Sequence, residues 1–332
     1  MMTKVVRFHN TGDASVLKLE DIPLQEPKDN EVRISVKAIA LNRAEIMFRQ
    51  GMYIEEPVFP ARIGYEASGI VDAVGSQIKQ FKVGEVVSTF AAFSMNQYGV
   101  YGETAIVPEQ AVAHYPESLS FEQGASIWMS YLTAYGALNY YAQIKAGDFV
   151  LITAATSTVG YSAIQLAKAV GATVIATTRT SAKKQRLFDA GADCVIATKE
   201  EDLASRVMEI SNKHGADIIF DAIAGSLLDD LASSAAKGAT IFVYGALDSE
   251  SLTPFPVLSA VGKGLKVQGY TMGELLAYPE DFSKAKQYIY DSLESGLLST
   301  NIDERVFPLA EISEAHRYME SNRQQGKIIV KV

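Results

Sequence analysis

The sequence predicts an α/β protein of two domains, with a parallel-sheet α/β block inserted into a β-rich domain built from both chain ends. Three observations predict it. The chain has 332 residues, more than one hydrophobic core usually serves. Its first third carries β-branched runs punctuated by proline and glycine. Beyond residue 121, apolar strands alternate with helices of about ten residues, the pattern of right-handed βαβ units.

In chain order, strands are expected at Val5–Phe8, Glu31–Ala38 and Ala67–Val74, with a turn at Lys28–Asn30. Short strands with frequent turns suggest a small barrel or sandwich. Phe121 to Tyr141 is apolar, aromatic and free of proline, and reads as helix. The alternation then runs strand 149–153, helix 159–170, strand 173–178, helix 181–190, strand 194–196, helix 203–213, strand 217–221, helix 227–236 and strand 240–244. A strand at 266–270 and a helix at 281–295 follow, and Gly326–Val332 reads as a strand that belongs with the β-rich part. The expected domains are therefore 1–124 with 269–332, and 125–268.

Hydrophobic residues make up 48% of the chain and charged ones 21%, values of a globular protein rather than a disordered one. A formal charge of −9 argues against nucleic acid as the main ligand, because a phosphate backbone calls for clustered Lys and Arg. No apolar run approaches the ~20 residues that cross a bilayer, and the N-terminus leads straight into a strand pattern. The single cysteine, Cys194, permits no internal disulfide and no thiolate cage. A cytosolic protein is expected.

The turn after the first strand of the insert is Ala154-Ala155-Thr156-Ser157-Thr158-Val159-Gly160. On the dinucleotide fingerprint, its three glycine positions hold Ala155, Ser157 and Gly160. Small residues let the backbone near a pyrophosphate, the helix N-terminus offers N–H groups, and the Ser157 and Thr158 hydroxyls add donors. An ordinary strand-to-helix turn is the alternative; the βαβ context favours the nucleotide. The second strand ends at Thr178-Arg179-Thr180 without the Asp or Glu that holds the ribose hydroxyls of NAD. Hydroxyls, Arg179 and Lys183 suit a 2′-phosphate instead, so NADPH is the expected cofactor; a solvated helix start is the competing reading of these cations.

Several segments now act together: Leu41-Asn42-Arg43-Ala44-Glu45 with Gly51-Met52-Tyr53, Ile63-Gly64-Tyr65-Glu66 running to Gly75, and Phe81 to Val87. Gly99-Val100-Tyr101-Gly102-Glu103, Leu132-Thr133-Ala134, Ala146-Gly147-Asp148, Gln165-Leu166-Ala167, Gly191-Ala192-Asp193 and Gly326-Lys327-Ile328 complete the set. In this order the chain resembles the medium-chain dehydrogenase/reductase superfamily, and within it the zinc-independent quinone oxidoreductase branch. The resemblance implies a GroES-like β-rich catalytic domain, a doubly wound parallel-sheet (Rossmann) cofactor domain, and a homodimer or homotetramer. Zinc members bring Cys to the slot of Asn42 and a His-Glu pair to that of Tyr65-Glu66, so no metal ligand set is expected here. His9, His114, His214 and His316 are scattered and read as surface or packing residues, and Cys194 as a small core residue.

Without a Lewis acid, the feasible chemistry is hydride addition to an acceptor whose product anion is delocalised: a quinone or an α,β-unsaturated carbonyl. The protein then has to place the acceptor and offer hydrogen-bond donors to the growing enolate. The resemblance puts Asn42 beside the nicotinamide ribose and Tyr53 where related enoyl-thioester reductases carry a proposed proton donor; cleft packing is the other reading of Tyr53, in a chain with sixteen tyrosines. Tyr65 fills the slot of the missing histidine, as cleft floor or substrate contact, and Glu66 is expected to pair with Arg43 or Arg49. The loop 93–101 reads as a cover over the cleft in which Phe93, Asn96 and Tyr98 can recognise a planar carbonyl. Thr133 matches a position near the nicotinamide, while Trp128 and Leu132 read as core. Ile223, Ala224, Tyr244, Gly245, Tyr270 and Thr271 end late strands, where the resemblance lays the cofactor. Two other readings stay open: an NADPH-binding structural or adaptor protein with little turnover, and a metal-dependent alcohol dehydrogenase with unusual ligands.

Overall fold

A computed structural model describes residues 1–248 and 250–332. The chain forms two compact units, Met1–Met129 with Ser299–Val332, and Ser130–Leu298. The return to the first unit falls at Ser299 rather than at residue 269, because the helix Pro279–Glu294 belongs to the second unit, where Tyr288 packs on Tyr135 at 5.5 Å between ring centres. Among the described residues, no helix is long and apolar enough to cross a membrane.

The first unit is β-rich. Its larger sheet has Glu31–Ala40 at the centre, between Glu66–Val74 and the strand Lys327–Lys331, with Thr104–Pro108 also paired to it. The strand that returns from the far end of the chain runs antiparallel to Glu31–Ala40, with Ile329 opposite Ala40 and Lys331 opposite Ala38. Val32, Ile34, Val36 and Ala38 are buried, as are Arg33, Ile39 and Ala40, and the pairing with Glu66–Val74 shifts register at Arg33/Ile34 and at Val36/Ala38. A second sheet joins Lys18–Pro23, Met2–Phe8 and Ala61–Arg62.

The second unit holds six parallel strands in the order Cys194–Ala197, Thr173–Thr178, Phe149–Ile152, Ala216–Asp221, Ala235–Val243 and Lys266–Gly269. Numbered from its own first strand the order is 3-2-1-4-5-6, the doubly wound topology, with its switch point between Phe149–Ile152 and Ala216–Asp221. Leu151, Ile175, Ile196, Ile219 and Ile241 line one buried cluster with Leu203, Val207, Leu228 and Leu231 from the helices. Cys194 packs against that cluster, and burial pushes its thiol up, which suits a core residue and not a nucleophile.

The expected helix 121–141 is three pieces. Phe121–Gly124 starts on a Ser120–Gln123 capping box, Trp128–Tyr135 follows, and Gly136–Tyr141 is a π-helical segment. A Cβ at Gly136 would lie 2.0 Å from the Tyr270 hydroxyl, so the glycine makes room for a side chain pressed into the helix. The helix Leu227–Ser234 also stops short of 236, because the next strand begins at Ala235.

Candidate active site

The first unit gathers Asn42, Glu45, Tyr53, Tyr65, Glu66, Phe93 and Lys327. Asn42 lies two residues past the strand Glu31–Ala40 and caps the helix Arg43–Gln50, whose third residue, Glu45, reaches back to the Asn42 backbone N–H. Glu45 Oε1 also accepts from Asn42 Nδ2 at 3.1 Å and from the Tyr65 N–H at 3.2 Å. Glu45 is fully buried, and burial outweighs these donors and the charge of Lys327, so its carboxyl is pushed up to about 7. Glu66 is fully buried as well; Oε1 accepts from the Met129 N–H at 2.8 Å and Oε2 pairs with the Lys327 ammonium. Lys327 Nζ also donates to Asn42 Oδ1.

Two expectations are corrected here. Glu66 pairs with Lys327, and neither Arg43 nor Arg49 serves it: Arg43 holds Asn322, and Arg49 holds Glu320 and the Gly12 carbonyl. Asn42 has no donor left for an enolate, because both N–H groups of Nδ2 face carboxylates. Its Oδ1 can still accept.

Tyr53 is half-buried and follows the left-handed Gly51 that closes the helix Arg43–Gln50. Burial raises both the Tyr53 and the Tyr65 phenol above their usual range, and the two neighbouring hydroxyls influence each other. Both stay protonated near neutral pH. The Phe93 ring lies 5.4 Å from that of Tyr65. Asn96 and Tyr98 are committed elsewhere: Asn96 Oδ1 accepts from the Val58 N–H at 2.7 Å while Nδ2 meets Glu55 and the Glu56 carbonyl, and the Tyr98 hydroxyl meets Glu31 at 2.9 Å. Their polar groups are thus bonded within the protein. Trp128 is core, with Nε1 donating to Ser88 Oγ at 2.7 Å.

In the second unit, Ser157 caps the helix Thr158–Ala169, accepting from the Gly160 N–H at 3.1 Å, so its own O–H remains available. A Cβ at Gly160 would sit 2.6 Å from Ala155 Cα; glycine lets this helix start close against the strand end. Thr158 and Val159 open the first turn, half-buried. The buried Asp221 carboxylate, at the end of the fourth strand, accepts from Thr153 Oγ1 at 2.6 Å and from the Ile223 and Ala224 N–H groups at 3.0 and 2.8 Å. It fixes Ala224 in a left-handed conformation (φ 58°). Sequence reading missed Asp221; a carboxylate ending the apolar strand Ile218-Ile219-Phe220 was the available signal. Tyr244 stacks on Phe220 at 4.0 Å, and its buried hydroxyl lies near Ser157 without a formed hydrogen bond. Gly245 approaches the Ala222 carbonyl closely enough that a Cβ would fall 2.9 Å from it.

Thr178 ends its strand buried, and Arg179 after it is exposed. Burial and the neighbouring charges of Arg186 and Arg179 lower the Lys183 ammonium, so three cations crowd this corner. Arg186 was not foreseen. Nor was Glu200, which arrives from beyond the third strand, and accepts from the Ser181 N–H at 3.0 Å. Thr133 lies half-buried on the helix Trp128–Tyr135 and Thr271 is exposed. Tyr270 is corrected to a core residue: it is 3% exposed, donates to the Leu132 carbonyl and packs on Phe242 and Tyr141.

This geometry agrees with the comparisons. Residues 28–117 match the model of the alcohol dehydrogenase GroES-like domain, and 158–289 that of the zinc-binding dehydrogenases. The human quinone oxidoreductase is 30% identical over 331 residues, covering 99% of this chain and 98% of its own. The chain belongs to the medium-chain dehydrogenase/reductase superfamily, in its quinone oxidoreductase-like branch. Among solved structures, Escherichia coli quinone oxidoreductase complexed with NADPH superposes with a TM-score of 0.91 at 28% identity, covering 99% of this chain and all of that one. Quinone oxidoreductase from Pseudomonas syringae pv. tomato DC3000 gives 0.92 at 27% identity, each chain covered completely. One matching model carries zinc in its description; Asn42 and Tyr65 offer an amide and a phenol, with no thiolate or imidazole at either position, beside the Glu45 and Glu66 carboxyl groups and the Lys327 ammonium. Among the described residues, no group of three or more His, Cys, Asp or Glu is arranged to hold a metal. Three histidines sit at the surface beside carboxylates, His9 with Glu20, His114 with Glu85 and His214 with Asp217. His316 is buried, and burial with the Arg49 charge pushes it down to about 3.

Proposed function

We propose that this protein is a cytosolic, zinc-independent reductase that uses NADPH to reduce a quinone or an α,β-unsaturated carbonyl compound. The observation that carries the reading is the Tyr53–Tyr65 pair: two buried-side phenols above a network of amide, carboxylates and ammonium that holds no thiolate or imidazole. The cofactor reading is supported by the E. coli relative, which is complexed with NADPH. It is supported in this chain by the orphaned Tyr244 hydroxyl, the Ser157-capped helix start and the cations Arg179, Lys183 and Arg186.

Bound NADPH supplies a hydride. The chain's residues do the rest. Ser157, Thr158, Val159 and Gly160 present hydroxyl and backbone N–H groups to the pyrophosphate, and Ala155 keeps the turn small. Thr178, Arg179 and Lys183 hold the ribose phosphate, while Ile223, Ala224, Gly245, Thr133 and Thr271 border the dinucleotide. Tyr53 gives its proton to the oxygen on which negative charge develops, with Tyr65 beside it and Phe93 against the Tyr65 ring. Solvent returns the proton to Tyr53, so one hydride and one proton reduce the acceptor by two electrons.

The same reading includes a homodimer. Leu258 and Val261 are 89% and 78% exposed on the helix Val257–Lys263, Leu252 and Phe255 stand out just before it, and the strand Lys266–Gly269 forms a sheet edge with no neighbour among the described residues. An apolar patch beside an open edge suits a second copy of the chain. The deciding experiment for the activity is steady-state oxidation of NADPH and NADH against a panel of quinones, enones, enals and saturated aldehydes. Turnover with conjugated acceptors and NADPH is expected; turnover confined to saturated aldehydes, or none at all, refutes the reading.

A further inference from the structure

Every polar valence of the Asn42 side chain but one is taken by a buried partner. The two Nδ2 hydrogens point to Glu45 Oε1 at 3.1 Å and Glu66 Oε2 at 3.2 Å, and Oδ1 accepts from Lys327 Nζ. Charge fixes the amide's orientation. Flipped, it would aim N–H at the Lys327 ammonium and carbonyl oxygen at the Glu66 carboxylate. What remains is one lone pair of Oδ1 on a half-buried residue, which can only accept.

The Lys327–Glu66 pair is 2% and 0% exposed. Such a pair is a weak source of stability, since apolar replacement of both partners is often neutral or favourable. Its presence under the site calls for another reason, and the amide supplies one. We infer that Lys327 is a positioning residue, the fixed cation that sets Asn42 as a hydrogen-bond acceptor for a hydroxyl group such as that of a ribose. The inference rests on the placement of Asn42 at the catalytic site. It assigns Lys327 a function that neither the strand pattern nor the Gly326-Lys327-Ile328 segment states.

The test uses the full-length protein and four variants: Asn42→Ala, Lys327→Met, the double variant Lys327→Met/Glu66→Gln, and that double with Asn42→Ala added. Melting temperature, from the fluorescence of the single tryptophan, Trp128, is read beside kcat/KM for NADPH. Lys327→Met alone leaves Glu66 buried without a counter-charge and lowers both. The double variant removes that stranded charge and regains the melting temperature. Its kcat/KM stays down by about tenfold or more, as a misplaced contact commands, and adding Asn42→Ala lowers it no further. Recovery of kcat/KM together with melting temperature in the double variant overturns the inference, because charge balance was then the whole role. A double variant that recovers neither also overturns it, since the pair then serves the fold. Full kcat/KM in Asn42→Ala, by contrast, refutes the placement of Asn42 itself.

Discussion

Raising the pH should weaken the first unit through Glu45. In the folded chain its carboxyl is pushed from 4.5 up to about 7 by complete burial. The unfolded chain gives up this proton near 4.5, while the folded one keeps it until about 7, so between those values the native state binds more protons. Stability from this group is fully present below pH 4.5, falls as pH rises through 7, and is level above. At about 1.36 kcal/mol per pKa unit, the change is worth about 3 kcal/mol. Glu45→Gln removes the titration. Urea unfolding followed by Trp128, which lies in the first unit with its indole bonded to Ser88, gives the unfolding free energy of both proteins from about pH 4.5 to 8. The advantage of wild type over variant should shrink by about 3 kcal/mol across that interval. Parallel curves would refute the argument, showing that the three N–H donors and Lys327 stabilise the ionised carboxylate as well as water does.

Removing the Tyr53 hydroxyl as Tyr53→Phe should lower kcat by about 100-fold, within the range for a lost donor to a developing oxyanion; unchanged turnover across all conjugated acceptors rejects the proton-donor role. Arg179→Gln should raise the Kd for NADPH by about tenfold, roughly the loss of one charge-assisted contact, and leave NADH nearly unaffected. Fluorescence titration with both coenzymes checks it, and equal losses end the 2′-phosphate assignment. Leu258→Asp, at a side chain 89% exposed, should convert a dimer to a monomer by light scattering without altering the far-ultraviolet circular dichroism. A wild type already monomeric at micromolar concentration defeats that expectation.

The strands and helices of the second unit were legible because each carries its own periodicity, and the strand Thr173–Thr178 begins and ends where its β-branched run does. The Gly160 position was legible too, since a Cβ there would fall 2.6 Å from Ala155 Cα and only glycine avoids that clash. The break at 125–127 and the π-segment Gly136–Tyr141 were not; at the latter the Tyr270 hydroxyl, from a distant part of the chain, crowds Gly136. The same limit governed the site. Asn42, Tyr53 and Tyr65 could be named from their segments, but the partner of Glu66 lies 261 residues away, and no local pattern says which of several cations will arrive. Asp221 was hidden differently: its partners are the backbone N–H groups of its own loop and a threonine on the neighbouring strand, contacts that a propensity argument does not see.

The discontinuity of the first unit has a consequence for biosynthesis. A ribosome adding about 5–20 residues per second needs on the order of 10–50 s to travel from Glu66 to Lys327. During that interval Glu31–Ala40 lacks one of its flanking strands and Glu66 has no counter-charge, whereas Ser130–Leu298 is a continuous stretch that can close on itself as it emerges. The nascent chain therefore carries a completed parallel-sheet half beside a β-rich half that lacks a strand and a counter-charge until the lysine is delivered.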